Sequence, residues 1–423
     1  MITKYYVVIT LVFTLAILFS SQTSEDRPRS ALSRSFVDNK NESRSQQSAV
    51  TDRSEERLNS DGTMPGVTLR RTRVYDAQGL QEPKSVLWKT KKLFTRNVDR
   101  VLLNIVTVNK EAFFQEGDMV YAIDLQTGEA KNRFDIDKVH FYSPVVAGGL
   151  LFLEAGEGAF YAFDRRDLKT RWKIDKEGYR FGVNSSAVAY GMVYLGSAEE
   201  IHYVGEEVNY SRKIPKASVH AVDALTGAQK WMVAIKGWPT PIAVADEVVY
   251  FGDEDRHLFA VNAKDGQEVW RFTASGNIGP PAIMNGRAFF GDEGGNLYAV
   301  DLKSGQATWK AAIKNKVRAH YLAAYNNMIY YGGMKNGIYA VDALTGQEKW
   351  VYRTTKLCLA PVVANGAVYV ACRDNTLLAL DAENGQEKWK YKTSRPPYSH
   401  PVVGNGVIYY LDEEGVMYAL SSS

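Results

Sequence analysis

Ile338-Tyr-Ala-Val-Asp-Ala-Leu-Thr-Gly-Gln-Glu-Lys-Trp350 is the stretch that decides the fold. Its first four residues are β-branched or aromatic around one alanine, as expected of a buried strand. Asp342 to Gly346 then form a turn, because Asp and Thr side chains bond nearby N–H groups and Gly tolerates positive φ. Trp350 follows four residues later. The stretch therefore predicts a β-hairpin with one large aromatic side chain at a fixed distance from its turn.

This hairpin pattern, Ala-x-Asp-x-x-x-Gly-x-x-x-Trp, is repeated along most of the chain. Complete copies begin at Ala221, Ala299, Ala340 and Ala379, and a copy with Asn in place of Asp begins at Ala260. Successive copies are 39 to 41 residues apart in six of the seven steps, and a period of about 40 with strand-like content is typical of propellers and solenoids. Two more strands, joined by turns such as Asn365-Gly366, precede each copy and complete units of four strands.

Two further copies are degenerate, and two are halves. Asn132 stands in place of Trp in one upstream copy, and Leu168 stands in place of Gly in the next. The chain ends in a copy that stops at Ser421, whereas Leu87-Trp88-Lys89 supplies a missing second half. A closed ring would pair the halves and remove both open edges, whereas a parallel β-helix would leave them unexplained. The sequence therefore predicts an all-β, eight-bladed β-propeller of four-stranded antiparallel blades with closure by the N- and C-terminal strands.

The rest of the chain divides into two further segments. Lys4 precedes the apolar run Tyr5 to Phe19, which has the length of a signal-peptide core and is short for a membrane span. We therefore predict a signal peptide or signal anchor at residues 1–21, an extracytoplasmic (periplasmic or secreted) location, and membrane contact only through residues 5–20 if they are not cleaved. Residues 22–82 are polar and without periodicity, which predicts a disordered linker, and residues 83–423 form the propeller. The net charge of +3 is too small to indicate a nucleic-acid partner.

The repeat resembles that of a known family. It is similar to the repeat of the eight-bladed quinoprotein alcohol dehydrogenases (PQQ-like propellers) and of their cofactor-free relatives, which include the outer-membrane assembly lipoprotein BamB. The resemblance covers about residues 85–423 and implies that one tryptophan of each blade docks against the next blade. The docking residues would be Trp88, Trp172, Trp231, Trp270, Trp309, Trp350 and Trp389. No Cys follows the apolar run, so the lipid attachment of BamB has no counterpart.

Basic residues stand just ahead of most inner strands. In a blade of alternating strands, the connections between blades share one face with the hairpins between second and third strands; we call it the mouth face. The Asp-Thr-Gly turns lie on the opposite face, the turn face. The pattern predicts a positive channel mouth, with solvated loop charges of little energetic value as the alternative. The predicted ligand-binding residues on the mouth face are Arg100, His140, Arg180, Lys236, Arg318, His320, Lys356, Arg395 and His400, with Asn277 where a basic group is missing.

Two other features are expected on the mouth face. Trp238, in Gly237-Trp-Pro-Thr-Pro241, is predicted either to stack against a planar ligand or to plug the channel. One step of 59 residues results from an insertion at residues 197–216, which would form a binding surface or a neutral flap. Because the histidines come from separate blades, no metal site is predicted.

Cys358 and Cys372 are the only cysteines and flank the Asn365-Gly366 turn at nearly equal distances. With a three-residue loop they would oppose each other and could form a disulfide in an oxidising compartment. With a two-residue loop they would face opposite sides of the sheet and remain free. A structural role is expected in both cases.

The residues favour a binding protein over an enzyme. A dehydrogenase would hold pyrroloquinoline quinone (PQQ) and Ca²⁺ through a carboxylate and an asparagine near the axis, with a catalytic Asp. Asn184 and Asn277 are suitably placed, but Asp99 is the only candidate carboxylate, and the long insertions of the enzymes are missing.

We therefore predict no cofactor, no catalytic residue and a monomeric scaffold that binds protein partners in the cell envelope, as the resemblance to BamB implies. One alternative is a PQQ- and Ca²⁺-dependent dehydrogenase of alcohols or sugars. The second alternative is a receptor for an anionic polymer or glycan at the basic mouth.

Overall fold

The computed structural model describes twelve stretches of the chain. They are residues 74–75, 82–93, 105–116, 119–135, 144–155, 158–176, 179–181, 186–199, 216–313, 322–333, 337–404 and 406–421.

Eight sheets, each with four antiparallel strands, form the described structure, and two of them carry a fifth short strand. This confirms the predicted all-β, eight-bladed propeller. Two short strands, β1 (Val74–Tyr75) and β2 (Ser85–Lys89), precede the first complete blade. Blades 1 and 2 contain β3 (Val106–Val108), β4 (Glu111–Glu116), β5 (Met119–Asp124), β6 (Ala130–Asp135), β7 (Val145–Ala147), β8 (Leu150–Ala155), β9 (Ala159–Asp164) and β10 (Thr170–Asp175). Blades 3 and 4 contain β11 (Tyr179–Phe181), β12 (Ala187–Ala189), β13 (Met192–Glu199), β14 (Lys216–Asp223), β15 (Gln229–Lys236), β16 (Ala243–Ala245), β17 (Val248–Gly252), β18 (His257–Asn262) and β19 (Glu268–Thr273).

The second half of the chain continues the same order. Blades 5 and 6 contain β20 (Ala282–Met284), β21 (Arg287–Gly291), β22 (Asn296–Asp301), β23 (Ala307–Ala312), β24 (Leu322–Tyr325), β25 (Met328–Gly333), β26 (Gly337–Asp342) and β27 (Glu348–Arg353). Blades 7 and 8 contain β28 (Val362–Ala364), β29 (Ala367–Cys372), β30 (Thr376–Asp381), β31 (Glu387–Lys392), β32 (Val402–Gly404), β33 (Val407–Leu411) and β34 (Met417–Ser421).

The two ends of the chain close the ring, as predicted. β2 pairs with β34 as the fourth strand of blade 8, and Trp88 lies opposite Ala419. The N–H of Met417 donates to Oγ1 of Thr90 (3.0 Å), and the N–H of Lys84 donates to the carbonyl of Ser421 (2.9 Å). Pairing with β2 therefore covers the edge that β34 would otherwise expose.

A bulge in the fourth strand aims the repeated tryptophan. Ala340 pairs with Trp350 but Val341 pairs with Glu348, so Lys349 is an extra residue in its strand. The bulge turns Lys349 toward Asp342, whose carboxylate lies 3.2 Å from its ammonium group. The other oxygen of Asp342 accepts the N–H groups of Leu344 and Thr345 at 2.9 Å each. The repeated aspartates therefore cap the turns, as their sequence position indicates.

Six of the seven repeated tryptophans lie on the turn glycine of the next blade. Nε1 of Trp350 donates to the carbonyl of Ala382 (3.1 Å), and the ring covers Gly385, where an added Cβ would lie 2.5 Å from it. Trp389, without such a glycine in the shortened last copy, is buried beside Tyr369. The other pairs with this contact are Trp88 with Gly128, Trp172 with Gly227, Trp231 with Gly266, Trp270 with Gly305, and Trp309 with Gly346.

The two degenerate copies meet at one junction, between blades 1 and 2. Asn132 pairs with Ala122 at the tryptophan position of blade 1, and Leu168 holds the turn position of blade 2 with φ of 56°. Leu168 packs against the apolar core shared by these two blades. Because no tryptophan covers the turn here, a side chain fits where the other blades have glycine. The two exceptions to the repeat, Asn132 in place of Trp and Leu168 in place of Gly, are therefore coupled, because the first makes room for the second.

Two residues of the predicted linker belong to the ring. β1 pairs in parallel with the innermost strand of blade 7, with Val74 opposite Val363 and Tyr75 opposite Ala364. The structure therefore differs from the predicted disordered linker at Val74–Tyr75. The innermost strand of a blade leaves backbone N–H and C=O groups unpaired toward the channel. Val and Tyr favour the extended conformation that can pair with these groups. Within the described residues, no helix has the length and apolarity needed to cross a bilayer.

Cys358 and Cys372 form a disulfide although the loop between them has two residues. Ala364 pairs with Ala367, so only Asn365 and Gly366 form the turn. The pairing register then slips by one residue between the Val362–Tyr369 pair and the Cys358–Cys372 bridge. The expectation that a two-residue loop leaves the thiols free was therefore wrong. It assumed one continuous register, which the slip before β28 breaks.

Candidate functional site

Hydrogen bonds place the inter-blade connections and the second hairpins on one face. The N–H of Glu254, in the β17–β18 hairpin, donates to the carbonyl of Lys236 (3.1 Å), the last residue of β15 before the connection that enters the same blade. Three other blades repeat this bond. The donor and acceptor residues are Glu293 and Asn277 (2.8 Å), Arg373 and Leu357 (2.9 Å), and Glu413 and Pro396 (3.1 Å). These loops form the mouth face as it was defined from the sequence.

Two of the predicted cations on this face are neutralised by acids of the neighbouring hairpins. Nζ of Lys236 lies 3.1 Å from Oδ2 of Asp255, and this hydrogen bond holds the pKa of Asp255 below its usual value. A nitrogen of Arg395 lies 3.1 Å from Oε1 of Glu414. Lys356 is exposed, and its carbonyl accepts the hydroxyl of Thr354. Two cations of the predicted positive mouth thus form ion pairs with acids of the second hairpins, in blades 4 and 8.

The uncharged candidates are also engaged with their surroundings. Nδ2 of Asn277 donates to Oε2 of Glu293 (3.3 Å). Trp238 is partly buried and packs against the core shared by blades 3 and 4. His400 is buried ahead of β32, with 4% of its surface exposed.

The remaining candidates lie outside the described residues, except Arg180, whose backbone alone is described. Arg180 belongs to β11, which pairs with the extended end of β13, but its side chain is not among the described ones. The ends of the predicted insertion belong to strands, because pairing between β13 and β14 reaches Ala198 opposite Ala217. The candidates without described coordinates are Arg100, His140, Arg318 and His320, together with residues 200–215 of the insertion and Asp99 and Asn184.

Buried aspartates begin three of the mouth-face hairpins. Asp412, 2% exposed, accepts the N–H groups of Glu414 and Val416 at 2.9 Å each. Asp253 accepts both equivalent N–H groups in blade 4, and Asp292 accepts the N–H of Asn296 in blade 5. Cys372 holds this position in blade 7, so the disulfide there replaces a hydrogen-bonded cap. These carboxylates hold their own loops together.

One serine and one histidine meet in blade 3 in a way that the sequence did not indicate. Nε2 of His220 lies 2.7 Å from Oγ of Ser197, and Nδ1 lies 3.0 Å from Oε1 of Gln229. Burial lowers the pKa of His220, and Ser197 has no exposed surface. A nucleophile must reach its substrate, and the third member is an amide rather than a carboxylate. The group therefore joins the strands of the blade.

The described side chains do not assemble a PQQ and Ca²⁺ site. Such a site needs several oxygen ligands that converge near the axis, but Asp255 and Glu414 are paired with cations, and Asp253, Asp292 and Asp412 accept N–H groups of their own hairpins. Among the described residues, no group of three or more His, Cys, Asp or Glu side chains is arranged to hold a metal. Asn277, the one described amide of the predicted set, is directed to Glu293.

A groove that the sequence did not reveal opens where the ring closes. It has a volume of about 650 Å³ and lies between the outer strands of blades 7 and 8. Its lining residues are Val86, Trp88, Lys89, Tyr391, Lys392, Thr393, Ser394, Tyr410 and Tyr418. Residues from both ends of the chain form it, which explains why no local motif marks it.

The ring of eight blades with docked tryptophans defines the class of this protein, a PQQ-like β-propeller. The family model described as outer membrane protein assembly factor BamB matches residues 78–208, 195–320 and 294–423. The chain therefore belongs to this family. No curated protein sequence matches it.

Solved structures share the fold at low sequence identity. BamB from Moraxella catarrhalis is similar with a TM-score of 0.59 and 15% identity, over 77% of this chain and 97% of that one. A quinohemoprotein alcohol dehydrogenase from Pseudomonas putida gives 0.66 and 12%, over 88% and 81%. The computationally designed Ika8 protein gives 0.62 and 14%, over 83% and 99%. At these identities the similarity shows the fold alone, and a function has to be argued from the site.

Proposed function

We propose that this protein is an exported, non-catalytic scaffold of the cell envelope that binds partner proteins through its mouth face. The family model carries the name of an outer membrane protein assembly factor, which supports a role in envelope assembly or interaction. A propeller presents a rigid ring of loops, and loops on a rigid scaffold are common binding surfaces.

The observation that carries the proposal is the mutual pairing of the described polar groups of the mouth face. Lys236 with Asp255, Arg395 with Glu414, and Asn277 with Glu293 satisfy each other. A catalytic centre needs groups that converge on a reacting atom, whereas a protein-binding face needs a preformed surface with small apolar contacts. Leu357 offers such a contact, with 44% of its surface exposed on this face.

The disulfide supports the extracytoplasmic part of the proposal. Cys358 and Cys372 are 6% and 1% exposed, and their bond joins a mouth-face connection to the hairpin of the same blade. Disulfides of this structural kind persist in oxidising compartments and are rare in the cytosol.

Site-specific photocrosslinking in cells of the source organism tests the proposal. A photoreactive residue replaces Leu357 on the mouth face, and a matched variant replaces Leu344, which is 54% exposed on the turn face. The mouth-face variant should yield discrete crosslinked species in the envelope fraction, and the turn-face variant should not. Equal crosslinking at both positions would contradict a specific mouth-face partner.

The competing dehydrogenase is tested on the purified chain. After incubation with PQQ and Ca²⁺ and removal of unbound cofactor, the protein should retain no quinone absorbance and reduce no dye with alcohols or sugars. Retained absorbance with turnover would replace the scaffold by an enzyme.

A further inference from the structure

Pairs of stacked rings recur along the edges of the blades, and blade 5 shows how such a pair is normally covered. Phe290 and Tyr298 stack with their centroids 5.1 Å apart. Nζ of Lys310, on the fourth strand, lies 5.3 Å from the centroid of Tyr298 and donates to Oγ of Ser275 in blade 4 (2.7 Å). Phe272 of blade 4 packs edge-on against both rings. The space between blades 4 and 5 is therefore filled from both sides.

Other blades use the same cover. Lys173 lies over Tyr161 at 5.2 Å, Arg271 over Phe259 at 4.5 Å, and Arg353 over Tyr339 at 5.7 Å. A cation on the face of an aromatic ring contributes about 0.5–1 kcal/mol at exposed sites. The basic residue of the fourth strand is thus normally used within its own blade.

Blade 8 has the same rings but not the same cover. Tyr410 and Tyr418 stack at 4.9 Å, and Tyr418 pairs with Lys89 as Tyr298 pairs with Lys310. Lys89 comes from the other end of the chain and lines the wall of the groove, together with Tyr391, which corresponds to Phe272. Among the contacts of the described residues, none places the Lys89 ammonium over the Tyr418 ring. The volume that Lys310 fills in blade 5 is the open groove of blade 8.

The charged side chains among the described residues that line this groove are both basic, Lys89 and Lys392. The nearest acid in contact with the lining is Asp412, which is buried behind Tyr418 and accepts its hydroxyl (3.2 Å). Lys91, Lys92 and Lys390 are exposed on the strands and the connection beside it. Nζ of Lys392 donates one hydrogen bond to the carbonyl of Asp374 (2.8 Å), which leaves further donors of its ammonium group for a ligand. A carboxylate is the complementary group.

Exposed apolar side chains continue the groove along β2. Val86 and Leu87 are 43% and 50% exposed, and Tyr391 and Tyr418 are partly buried in the wall. An occupant therefore needs an apolar or aromatic side chain as well as negative charge.

We infer that the groove between blades 7 and 8 binds an acidic segment of a partner protein. One aromatic or aliphatic side chain of that segment enters between Tyr391 and Tyr418, and its carboxylates pair with Lys89 and Lys392. This inference rests on the proposed function as a protein-binding scaffold and assigns it a second contact surface, at the mouth-face ends of β31 and β2.

Fluorescence anisotropy with labelled peptides tests the inference on the purified exported chain. The probes are Asp-Glu-Trp-Glu-Asp, the acidic peptide with Ala in place of Trp, and Lys-Lys-Trp-Lys-Lys. The first should bind, the second should bind more weakly, and the third should not bind. K89E/K392E should weaken binding of the first peptide at least about tenfold, which is about 1.4 kcal/mol. Equal binding of the acidic and basic peptides would overturn the inference.

Two matched variants separate charge and shape. K264E/K303E makes the same change in net charge on exposed turn-face residues and should leave binding within about twofold, because exposed charges beyond about 10 Å are screened. K310A removes the lysine that covers the rings of blade 5 and so opens a similar groove there, but without a lysine at the position of Lys392, which is Thr273 in blade 5. When K310A is added to K89E/K392E, it should therefore not restore binding of the acidic peptide. If K264E/K303E weakened peptide binding as much as K89E/K392E does, or if K310A restored it, Lys89 and Lys392 would not be the residues that determine peptide binding.

The outcomes distinguish this groove from the proposed mouth-face function. Absence of peptide binding, with crosslinks from position 357 intact, overturns the groove and leaves the scaffold standing. Peptide binding that responds to K89E/K392E, without any crosslink from position 357, supports the groove and overturns the mouth face as the docking surface. Near-ultraviolet circular dichroism of each variant verifies that the ring is intact.

Discussion

Replacement of Gly385 by Ala should disrupt the junction between blades 6 and 7 more than its small size suggests. Gly385 has φ of 72°, and a Cβ there would lie 2.5 Å from Cδ2 and 2.6 Å from Cε3 of Trp350. Both atoms belong to a ring system that is buried and hydrogen-bonded to Ala382. The ring cannot retreat without loss of that bond and of its packing.

The expected cost has two separable parts. A non-glycine residue in the left-handed region costs about 1–2 kcal/mol. Overpacking against a buried side chain adds about 1–3 kcal/mol. The free energy of unfolding should therefore fall by about 2–5 kcal/mol in G385A.

Gly366 provides the matched control. It has φ of 69°, and an added Cβ would meet nothing within 4 Å. G366A should therefore lose only the backbone part, about 1–2 kcal/mol. Urea unfolding of both variants, followed by far-ultraviolet circular dichroism, gives the difference that belongs to the tryptophan contact.

A double-mutant cycle assigns that difference to Trp350. In a W350A background, G385A should cost no more than G366A does, because the atoms that clash are gone. If G385A and G366A cost the same in the wild-type chain, the tryptophan does not hold the turn and the account of the repeat given above is refuted.

Three further outcomes follow from the same structure. N132W should destabilise the chain and L168G should reverse that loss, with a coupling free energy of at least about 1 kcal/mol in urea unfolding; additive effects would contradict a coupled exchange at the junction between blades 1 and 2. Removal of the disulfide by C358A/C372A should lower the free energy of unfolding by about 3 kcal/mol, as expected for a loop of this length. C358I/C372D introduces the residues that form the corresponding bridge in blade 5, Ile278 and Asp292, and should recover part of the loss. The guanidinium groups of Arg166 and Arg171 hold the pKa of Asp164 well below its usual range, so D164N should cost about 1–2 kcal/mol at pH 7. This cost should shrink as the pH falls through the folded-state pKa, since the stability gained from a lowered pKa exists only above it, and a cost that does not change with pH would contradict the ion pair.

The sequence predicts the ring well because the repeated residues act through short-range geometry. Trp350 and Gly385 belong to different copies, yet their positions within the copy fix the contact, so one copy explains six of the eight junctions. The same reasoning accounts for ring closure. The strand of Trp88 is a fourth strand without its third, the strand of Ala419 is a third strand without its fourth, and the two pair with each other.

The sequence predicts less where the register changes. The spacing of Cys358 and Cys372 indicates their pairing only if the register between them is known, and the slip ahead of β28 is not marked by any turn residue. The short strand Val74–Tyr75 escaped prediction for a related reason. Its partner is the inner edge of a distant blade, and two residues show no periodicity.

The channel mouth illustrates a different limit. The order of the charges along the chain shows that cations and acids share a face, but it does not show that Lys236 reaches Asp255 or that Arg395 reaches Glu414. Opposite charges that meet in pairs leave little net potential. A prediction that counts only the basic residues in the connections between blades therefore overestimates the positive potential of the described part of the mouth.

The repeat itself indicates where new binding chemistry can arise in this fold. Seven blades take all four strands from one continuous stretch, so the basic residue of the fourth strand evolves beside the ring that it covers. Blade 8 takes its fourth strand from the start of the chain, and Lys89 is joined by Lys91 and Lys92 in a segment with no repeat to maintain. A lysine there can leave the ring of Tyr418 without weakening any junction, because Trp88 still docks on Gly128 and bonds to Leu125. A groove at the ring closure thus costs the fold less stability than a groove at another junction would. The exposed lysines around it suit the groove to a ligand with carboxylate groups.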